Sequence, residues 1–343
     1  MRVHYVYRGY FPALAGAEFM TQRLAAAMRR RGHAVAVHRD GAPGEPPPAT
    51  PSPWRPEIVH AVDALSPEHP QAALALAQRL GVPFAFTPAT AMELWCDRRA
   101  VLVVCQQADA VFALTRAEEA LLRGEGVAAS ALHVIGQGPH LTGTPDPAGF
   151  RHRHGITGPM VLFLGRKMRS KGYANLLEAT VLVWRTYPDA CFVFLGPRWD
   201  DDCDALFAAH ADPRIIELGH VSEADKHSAL AACALLCLPS TADVFPLACV
   251  EAWACGKPVI TSTFSGVGEV VQDGQDGLVV SPDPGSLAAA IAWLLSDAAT
   301  RSAMGARGLD KVQRQFNWEA VADRVERVYA GLLTNTRWGG TPS

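Results

Sequence analysis

The sequence predicts an α/β protein of two domains built on parallel sheets, and three observations carry that expectation. Short apolar runs alternate with helix-forming stretches from residue 3 to residue 280, a pattern that predicts parallel sheets covered by helices. The 343 residues are too many for one ordinary core and suit two. A βαβ unit opens the chain, with the small residues Ala15-Gly16-Ala17-Glu18 at its helix start, where a bare backbone can approach phosphate or sugar. Gly-x-Gly-x-x-Gly occurs nowhere, so the dinucleotide fingerprint of a nicotinamide oxidoreductase is missing.

Residues 3–7 read as the first buried strand, 19–31 as a helix stopped by Gly32, and 34–38 as the second strand. Proline- and glycine-rich residues 41–56 read as a surface loop. Strands 57–61, 82–87, 110–114 and 132–135, with helices 70–80, 101–107 and 117–123, complete a first domain. Residues 141–158 carry glycines, prolines and the run Arg151-His152-Arg153-His154 and read as a solvated linker, with anion binding as the sharper alternative. The domain limits expected are 1–145 and 155–317, with 318–343 as a closing helix. In the second domain, strands are expected at 160–164, 190–196, 215–220, 234–238, 259–260 and 277–280. Helices are expected at 247–255, stopped by Gly256, and at 287–295, 303–314 and 319–333. Ser222 can cap a helix with Asp225 at its third position.

Composition narrows the function. A net charge of −3 points away from nucleic acid as a partner. The eight cysteines are scattered without Cys-x-x-Cys, and Cys191, Cys233, Cys237, Cys249 and Cys255 lie in apolar patterns. They read as buried thiols of a reducing, cytoplasmic compartment. The chain enters a strand almost at once, without a signal-peptide pattern, and its apolar runs are too short for a transmembrane helix. Arg29-Arg30-Arg31 reads as a solvated helix end, with peripheral contact to anionic lipid as the alternative.

Two stretches carry chemistry. The first follows strand 160–164 and reads Gly165-Arg166-Lys167-Met168-Arg169-Ser170-Lys171-Gly172. Its spacing is not that of a Walker motif. A fixed Arg fork and a Lys point charge at a strand's carboxyl end can neutralise a diphosphate, with Lys167 and Arg169 expected to be exposed. The second runs from Leu238 to Thr261 as strand, loop, helix and strand, with Asp243 in the loop and Glu251 on the helix. The helix starting near Leu247 offers free N–H groups and a positive dipole end to phosphate. Carboxylates accept hydrogen bonds from hydroxyls, so Asp243 suits a hexose and Glu251 a ribose; the bland reading makes them a loop acid and a solvated helix position. Between these stretches, Asp200-Asp201-Asp202 reads as helix-capping acids, against a metal-binding Asp-x-Asp.

The second stretch resembles the signature of retaining glycosyltransferase family four, Glu-x-Phe-(Gly/Pro)-Leu-x-x-x-Glu-Ala-x-Ala-x-Gly-x-Pro-Val. Phe245, Pro246, Leu247, Glu251, Ala252, Ala254, Gly256, Pro258 and Val259 match, and Asp243 stands for the first Glu, one methylene shorter. Gly16, Glu18, Leu24, Ala25, Arg31, Gly32, His33 and Val35 match the family's opening pattern. Gly266 and Glu269 match a later turn, and Phe316 and Trp318 precede the last helix as in the family. The resemblance runs from Val3 to about Leu333. It departs at Ala89, where many relatives carry a His near the donor sugar; Glu93, Trp95, Asp97 and Arg98 follow and are weighed as acceptor-side residues against a plain surface loop.

The resemblance implies the GT-B fold, two Rossmann-like domains facing across a cleft with the last helix crossing back to the first. It implies transfer of a sugar from a nucleoside-diphosphate sugar to an acceptor hydroxyl, with retention and without metal or other cofactor. UDP-sugar is the first expectation for the donor and GDP-sugar the next; the acceptor is a sugar, a lipid-linked group or a small molecule. Arg166, Lys171 and Asp243 are the implied catalytic residues. Gly16, Gly165, Arg166, Lys171, Val221, Asp243, Phe245, Pro246, Leu247 and Glu251 are the implied binding residues, with Val221 beside the base. The alternatives are a sugar-nucleotide epimerase or pseudo-glycosyltransferase on the same fold, and a non-catalytic sugar-nucleotide-binding module.

Overall fold

A computed structural model describes residues 1–8, 16–40 and 54–334. Residues 9–15, which include Ala15 of the small-residue helix start, most of the 41–56 loop and the last residues of the 318–343 segment lie outside the described residues. The chain divides into two compact units, residues 1–138 with 316–343, and residues 139–315.

The first unit holds one six-stranded parallel sheet, ordered β2-β1-β3-β4-β5-β6. Its strands are β1 (Arg2–Arg8), β2 (Ala34–Asp40), β3 (Ile58–Val62), β4 (Phe84–Thr87), β5 (Ala110–Ala113) and β6 (Leu132–Val134). Val3 stands level with Val35 on one side and Ile58 on the other. Strands β3, β4 and β5 are buried at every residue, as in a sheet covered on both faces. Helices α1 (Gly16–Arg30), α2 (Glu68–Leu80), α3 (Arg98–Gln107) and α4 (Arg116–Gly124) follow in order. Their ends obey local chemistry: Gly81 closes α2 in the left-handed region, Asp97 accepts from Ala100 N–H at the start of α3, and Thr115 accepts from Glu118 N–H at the start of α4.

The last helix of the chain, here α13 (Trp318–Thr334), belongs to this first unit. Two layers hold it. In the core, His60 Nδ1 lies 2.6 Å from the Tyr329 hydroxyl, which donates to Tyr5 Oη at 3.2 Å, and His60 Nε2 lies 2.7 Å from Thr87 Oγ1. Burial pushes His60 down to about 3, so the ring is neutral and its two nitrogens serve as one donor and one acceptor. Outside the core, Arg30 donates to Glu319 at 2.8 Å, and Arg31 donates to Glu326 at 2.6 Å and to Asp323 at 3.3 Å. The basic cluster at the end of α1 is thus taken up by acids of α13, while Arg29 donates to Val35 O.

The second unit holds a six-stranded parallel sheet ordered β12-β11-β10-β7-β8-β9. The strands are β7 (Met160–Leu164), β8 (Cys191–Leu195), β9 (Ile215–Leu218), β10 (Leu235–Leu238), β11 (Val259–Ser262) and β12 (Gly277–Val280). Counted from β7, this is the Rossmann order, and the chain reverses its direction of winding between β7 and β10. The helices are α5 (Pro147–Arg153), α6 (Tyr173–Val183), α7 (Cys203–Ala209), α8 (Glu223–Ala232), α9 (Leu247–Ala254), α10 (Val267–Val270), α11 (Pro284–Ser296) and α12 (Ala298–Arg314).

Helix α5 corrects the linker expectation. Asp146 accepts from Gly149 N–H, Pro147 stands in the first turn, and Phe150 is fully buried, so the Arg-His-Arg-His run is the end of an anchored helix. Of the cysteines read as buried, Cys191, Cys233, Cys237 and Cys249 are buried and Cys255 is half-buried; none is in a disulfide. Burial pushes Cys233 up to about 12 and Cys255 to about 11, which keeps both thiols protonated and inert. No helix among the described residues is long and apolar enough to cross a membrane.

Candidate active site

The reversal between β7 and β10 is where an open parallel sheet leaves a crevice at its carboxyl ends. The two stretches that carry chemistry leave these neighbouring strands. Gly165 and Arg166 follow β7, a short 3-10 turn covers Arg169–Lys171, and Gly172 starts α6. Thr241 N–H donates to Ser170 O at 2.8 Å, and Ser240 Oγ donates to Ser170 O at 3.2 Å, which ties the β10 loop to the β7 loop. Gly172 allows this approach. Its φ is +77°, and a Cβ there would fall 2.3 Å from Pro239 O, so no other residue fits without moving the loop.

The loops bring two of the candidates into contact. Lys171 Nζ lies 2.6 Å from Asp243 Oδ2 and 3.5 Å from Ala242 O, with both side chains more than four-fifths buried. The pair retains hydrogen-bonding capacity beyond these contacts, because an ammonium offers three donors and a carboxylate about four acceptor positions. Arg166 lies at the same end of β7, its guanidinium 4.8 Å from the centroid of the Trp199 ring. That face-on contact limits the directions the Arg fork can take. Trp199 is half-exposed and comes from the loop after β8.

Lys167 corrects the expectation that it is exposed. It is fully buried, donates to Gly196 O and to Leu218 O at 2.9 Å, and pairs with Glu217 at 3.2 Å. Burial pushes its ammonium down, and Glu217 pulls it back up. Lys167 therefore fastens the ends of β8 and β9 to the β7 loop. Arg169 is exposed and pairs with Asp202. The acids at 200–204 are likewise engaged: Asp200 accepts from Arg169 N–H at 2.7 Å, and Asp204 pairs with Arg198. Asp202 opens α7, but its side chain caps no N–H.

Phe245, Pro246 and Leu247 lead into α9, with Phe245 buried and Pro246 at the cap position. Deep packing fixes this helix. Trp253 is fully buried and donates to Asp276 O at 2.8 Å. A Cβ on Gly308 of α12 would fall 2.0 Å from the Trp253 ring, so α12 lies flush against α9. Glu251, on the same helix, is buried rather than solvated. Its Oε1 accepts from Lys226 Nζ at 2.9 Å and from His140 N–H at 3.2 Å. Burial pushes its carboxyl up, and Lys226 and the His140 N–H pull it down.

Val221 is half-buried just ahead of α8, where Ser222 accepts from Asp225 N–H at 3.0 Å. It lines a groove of about 800 Å³ together with His220, Ser222, His152, Arg153 and His154. Gly16 opens α1 in the first unit, and a Cβ there would meet none of the described residues within 4 Å; Glu18 is buried in the same first turn. Of the residues after Ala89, Trp95 is buried and donates to Thr90 O at 2.8 Å, Asp97 is a helix cap, Arg98 pairs with Glu125 and Glu93 is exposed. Ala89 has a φ of +55° and Asp63 a φ of +94°, at the carboxyl ends of β4 and β3.

Sequence reasoning missed His140 and Lys226, which hold Glu251, and the stacking of Trp199 on Arg166. One signal for Lys226 was available. It stands three and four residues before Ala229 and Leu230, and that spacing puts all three on the buried face of α8.

Comparison with known proteins agrees with this architecture. Residues 150–311 match the family model described as glycosyl transferases group 1, and residues 49–138 match a glycosyl transferase 4-like domain. Glycogen synthase of Mycobacterium tuberculosis is 31% identical over 312 residues, covering 83% of this chain and 71% of that protein. Phosphatidyl-myo-inositol mannosyltransferase of Mycobacterium leprae is 32% identical over 198 residues, covering 57% of this chain and 51% of that protein. Among solved structures, Anabaena HepE in complex with UDP and glucose superposes with a TM-score of 0.79 at 18% identity, covering 96% of this chain and 99% of that one. Each unit has the parallel sheet of a GT-B glycosyltransferase, and both stretches of chemistry fall on the β7–β10 reversal. With a relative of this identity and coverage, the chain belongs to the group 1 glycosyltransferases, the family-four enzymes that its signature resembles.

Proposed function

We propose that this glycosyltransferase takes its sugar from a nucleoside-diphosphate sugar, with UDP-sugar as the first candidate and GDP-sugar the next. It passes the sugar to an acceptor hydroxyl with retention of configuration and without a metal. The observation that carries this reading is the meeting of Lys171 and Asp243 at the β7–β10 reversal, with Arg166 on the same loop after β7 and α9 starting four residues after Asp243. Arg166 and Lys171 bind the diphosphate, and α9, entered through Phe245, Pro246 and Leu247, adds its positive dipole end. Gly165 keeps the backbone low beneath them. Glu251 binds the ribose, Asp243 a hydroxyl of the transferred sugar, and Val221 the base. Gly16 is a backbone contact to substrate.

In this mechanism the bond from the anomeric carbon to the diphosphate oxygen breaks while the acceptor oxygen bonds to the same face. The acceptor proton passes to the leaving phosphate oxygen. Arg166 and Lys171 stabilise the charge that builds on the leaving group, which is electrostatic catalysis by preorganised cations. Metal independence is supported by this cationic pair and by the engagement of Asp200, Asp202 and Asp204 with arginines. The M. leprae relative is named for transfer to a phosphatidyl-inositol, so lipid-linked acceptors join sugars and small molecules as candidates here.

A donor screen by thermal shift tests the reading, because a ligand that binds only the native state raises the melting temperature. UDP- or GDP-sugars should raise it, and turnover should require an acceptor. Donor turnover without any acceptor product would favour an epimerase; donor binding without turnover across an acceptor panel would favour a binding module.

A further inference from the structure

Glu251 carries a desolvation cost that most helix acids avoid, and Lys226 is the main group that compensates it. Lys226, on α8, is itself buried. Its Nζ lies 2.9 Å from Glu251 Oε1, 2.9 Å from Glu223 Oε2 and 2.8 Å from His140 O. The contacts of Glu251 converge on a single oxygen, Oε1, which takes both Lys226 Nζ and His140 N–H. The other charged or titratable groups facing this cluster are Glu223 on α8, the His140 ring, 3.2 Å from Glu223, and Cys255 at the end of α9.

We propose that Lys226 is a positioning residue for Glu251: it holds one carboxylate oxygen and keeps the group charged in its buried seat, so that the second oxygen serves the donor ribose. This rests on the assignment of Glu251 to the ribose. A buried carboxylate without its cation takes up a proton, and a protonated Glu251 loses the charge-assisted bond to a ribose hydroxyl. Burial is the largest influence pushing the Glu251 carboxyl up, and Lys226 the largest holding it down. Removing Lys226 therefore makes ribose binding depend on pH, improving as pH rises and Glu251 ionises.

The test is calorimetric titration of UDP, GDP and pyrophosphate into the whole protein from pH 6.5 to pH 9. The proteins compared are unaltered, K226M, K226R, E251Q and K226M/E251Q. K226M should weaken nucleoside diphosphate binding about tenfold at pH 6.5 and recover as pH rises, with pyrophosphate unaffected. K226R should stay near the unaltered protein, and K226M/E251Q should be no weaker than E251Q. A pH-independent loss in K226M, or a loss that adds to that of E251Q, overturns the proposal. Should K226M fail to fold, K226Q takes its place: a loss that recovers with pH supports the proposal, and a pH-independent loss overturns it. If E251Q leaves UDP and GDP affinity unchanged, the ribose assignment itself falls and takes the proposal with it. That result is distinct from a normal E251Q loss with an indifferent K226M.

Discussion

Replacing Lys171 by alanine removes more than one contact. Under the proposed diphosphate assignment, the direct loss is a charge-assisted hydrogen bond of about 1.5–3 kcal/mol. The lysine also holds Asp243 at 2.6 Å. In Lys171→Ala that carboxylate, mostly shielded from water, faces an incoming dianion with no intervening cation. Two like charges roughly 6 Å apart repel by about 0.7–3 kcal/mol between effective dielectrics of 80 and 20. Taking about 1 kcal/mol for this partly screened site, the whole loss for UDP is about 2.5–4 kcal/mol, or roughly a hundred- to a thousandfold. The second term can be isolated, because Lys171→Ala/Asp243→Asn removes the repulsion and should recover about fivefold. Calorimetric titration of UDP into the two variants and the unaltered protein measures both terms. Unchanged UDP affinity in Lys171→Ala refutes the diphosphate assignment; no recovery in the double variant refutes the electrostatic link between Lys171 and Asp243.

Three further outcomes follow from the same arrangement. Asp243→Asn should weaken the full donor at least tenfold through its lost sugar contact, while free UDP binds equally well or more tightly because a negative charge has left the diphosphate site; equal weakening of donor and UDP would contradict the assignment. Turnover should persist in a strong chelator, and abolition by chelation with rescue by manganese would return the acids at 200–204 to the site. The third outcome concerns stability. Burial pushes the Glu118 carboxyl up to about 8, against the Leu114 N–H that pulls it down. The native state therefore keeps a proton between about pH 4.5 and pH 8 that the unfolded chain releases, and stability falls as pH rises through that window. Melting temperatures from pH 6 to pH 9 should fall less steeply in Glu118→Gln, and identical slopes would contradict the protonated state.

Local chemistry made much of this readable in advance. The apolar runs of β7 and β10 and the stop at Gly256 are signals within a few residues, and so is Ser222 with Asp225. The cations of 166–171 were readable as a set, but not their separate fates. Lys167 sits next to Arg166 in the same loop, and only the approach of β8 and β9 decides that it turns inward to Gly196 O and Leu218 O. Asp146-Pro147 was a usable helix start, masked by Gly149 and the basic run behind it. The least legible features join distant parts of the chain. Arg30 meets Glu319 across 289 positions and His60 meets Tyr329 across 269, while His140 meets Glu251 across 111. No periodicity within one element reports such pairs, because the fold alone brings them together.

Retaining transfer at the Lys171–Asp243 site is the core of the proposed function, and the stereochemistry of the product is its sharpest test. The product formed from an α-linked UDP-sugar, or from the donor that the thermal-shift screen selects, can be followed by proton NMR as it appears in the presence of chelator. The account predicts an α-linked product from an α-linked donor in the first detectable turnover, and its loss in Lys171→Ala. A β-linked first product, or undiminished transfer by Lys171→Ala, would contradict it.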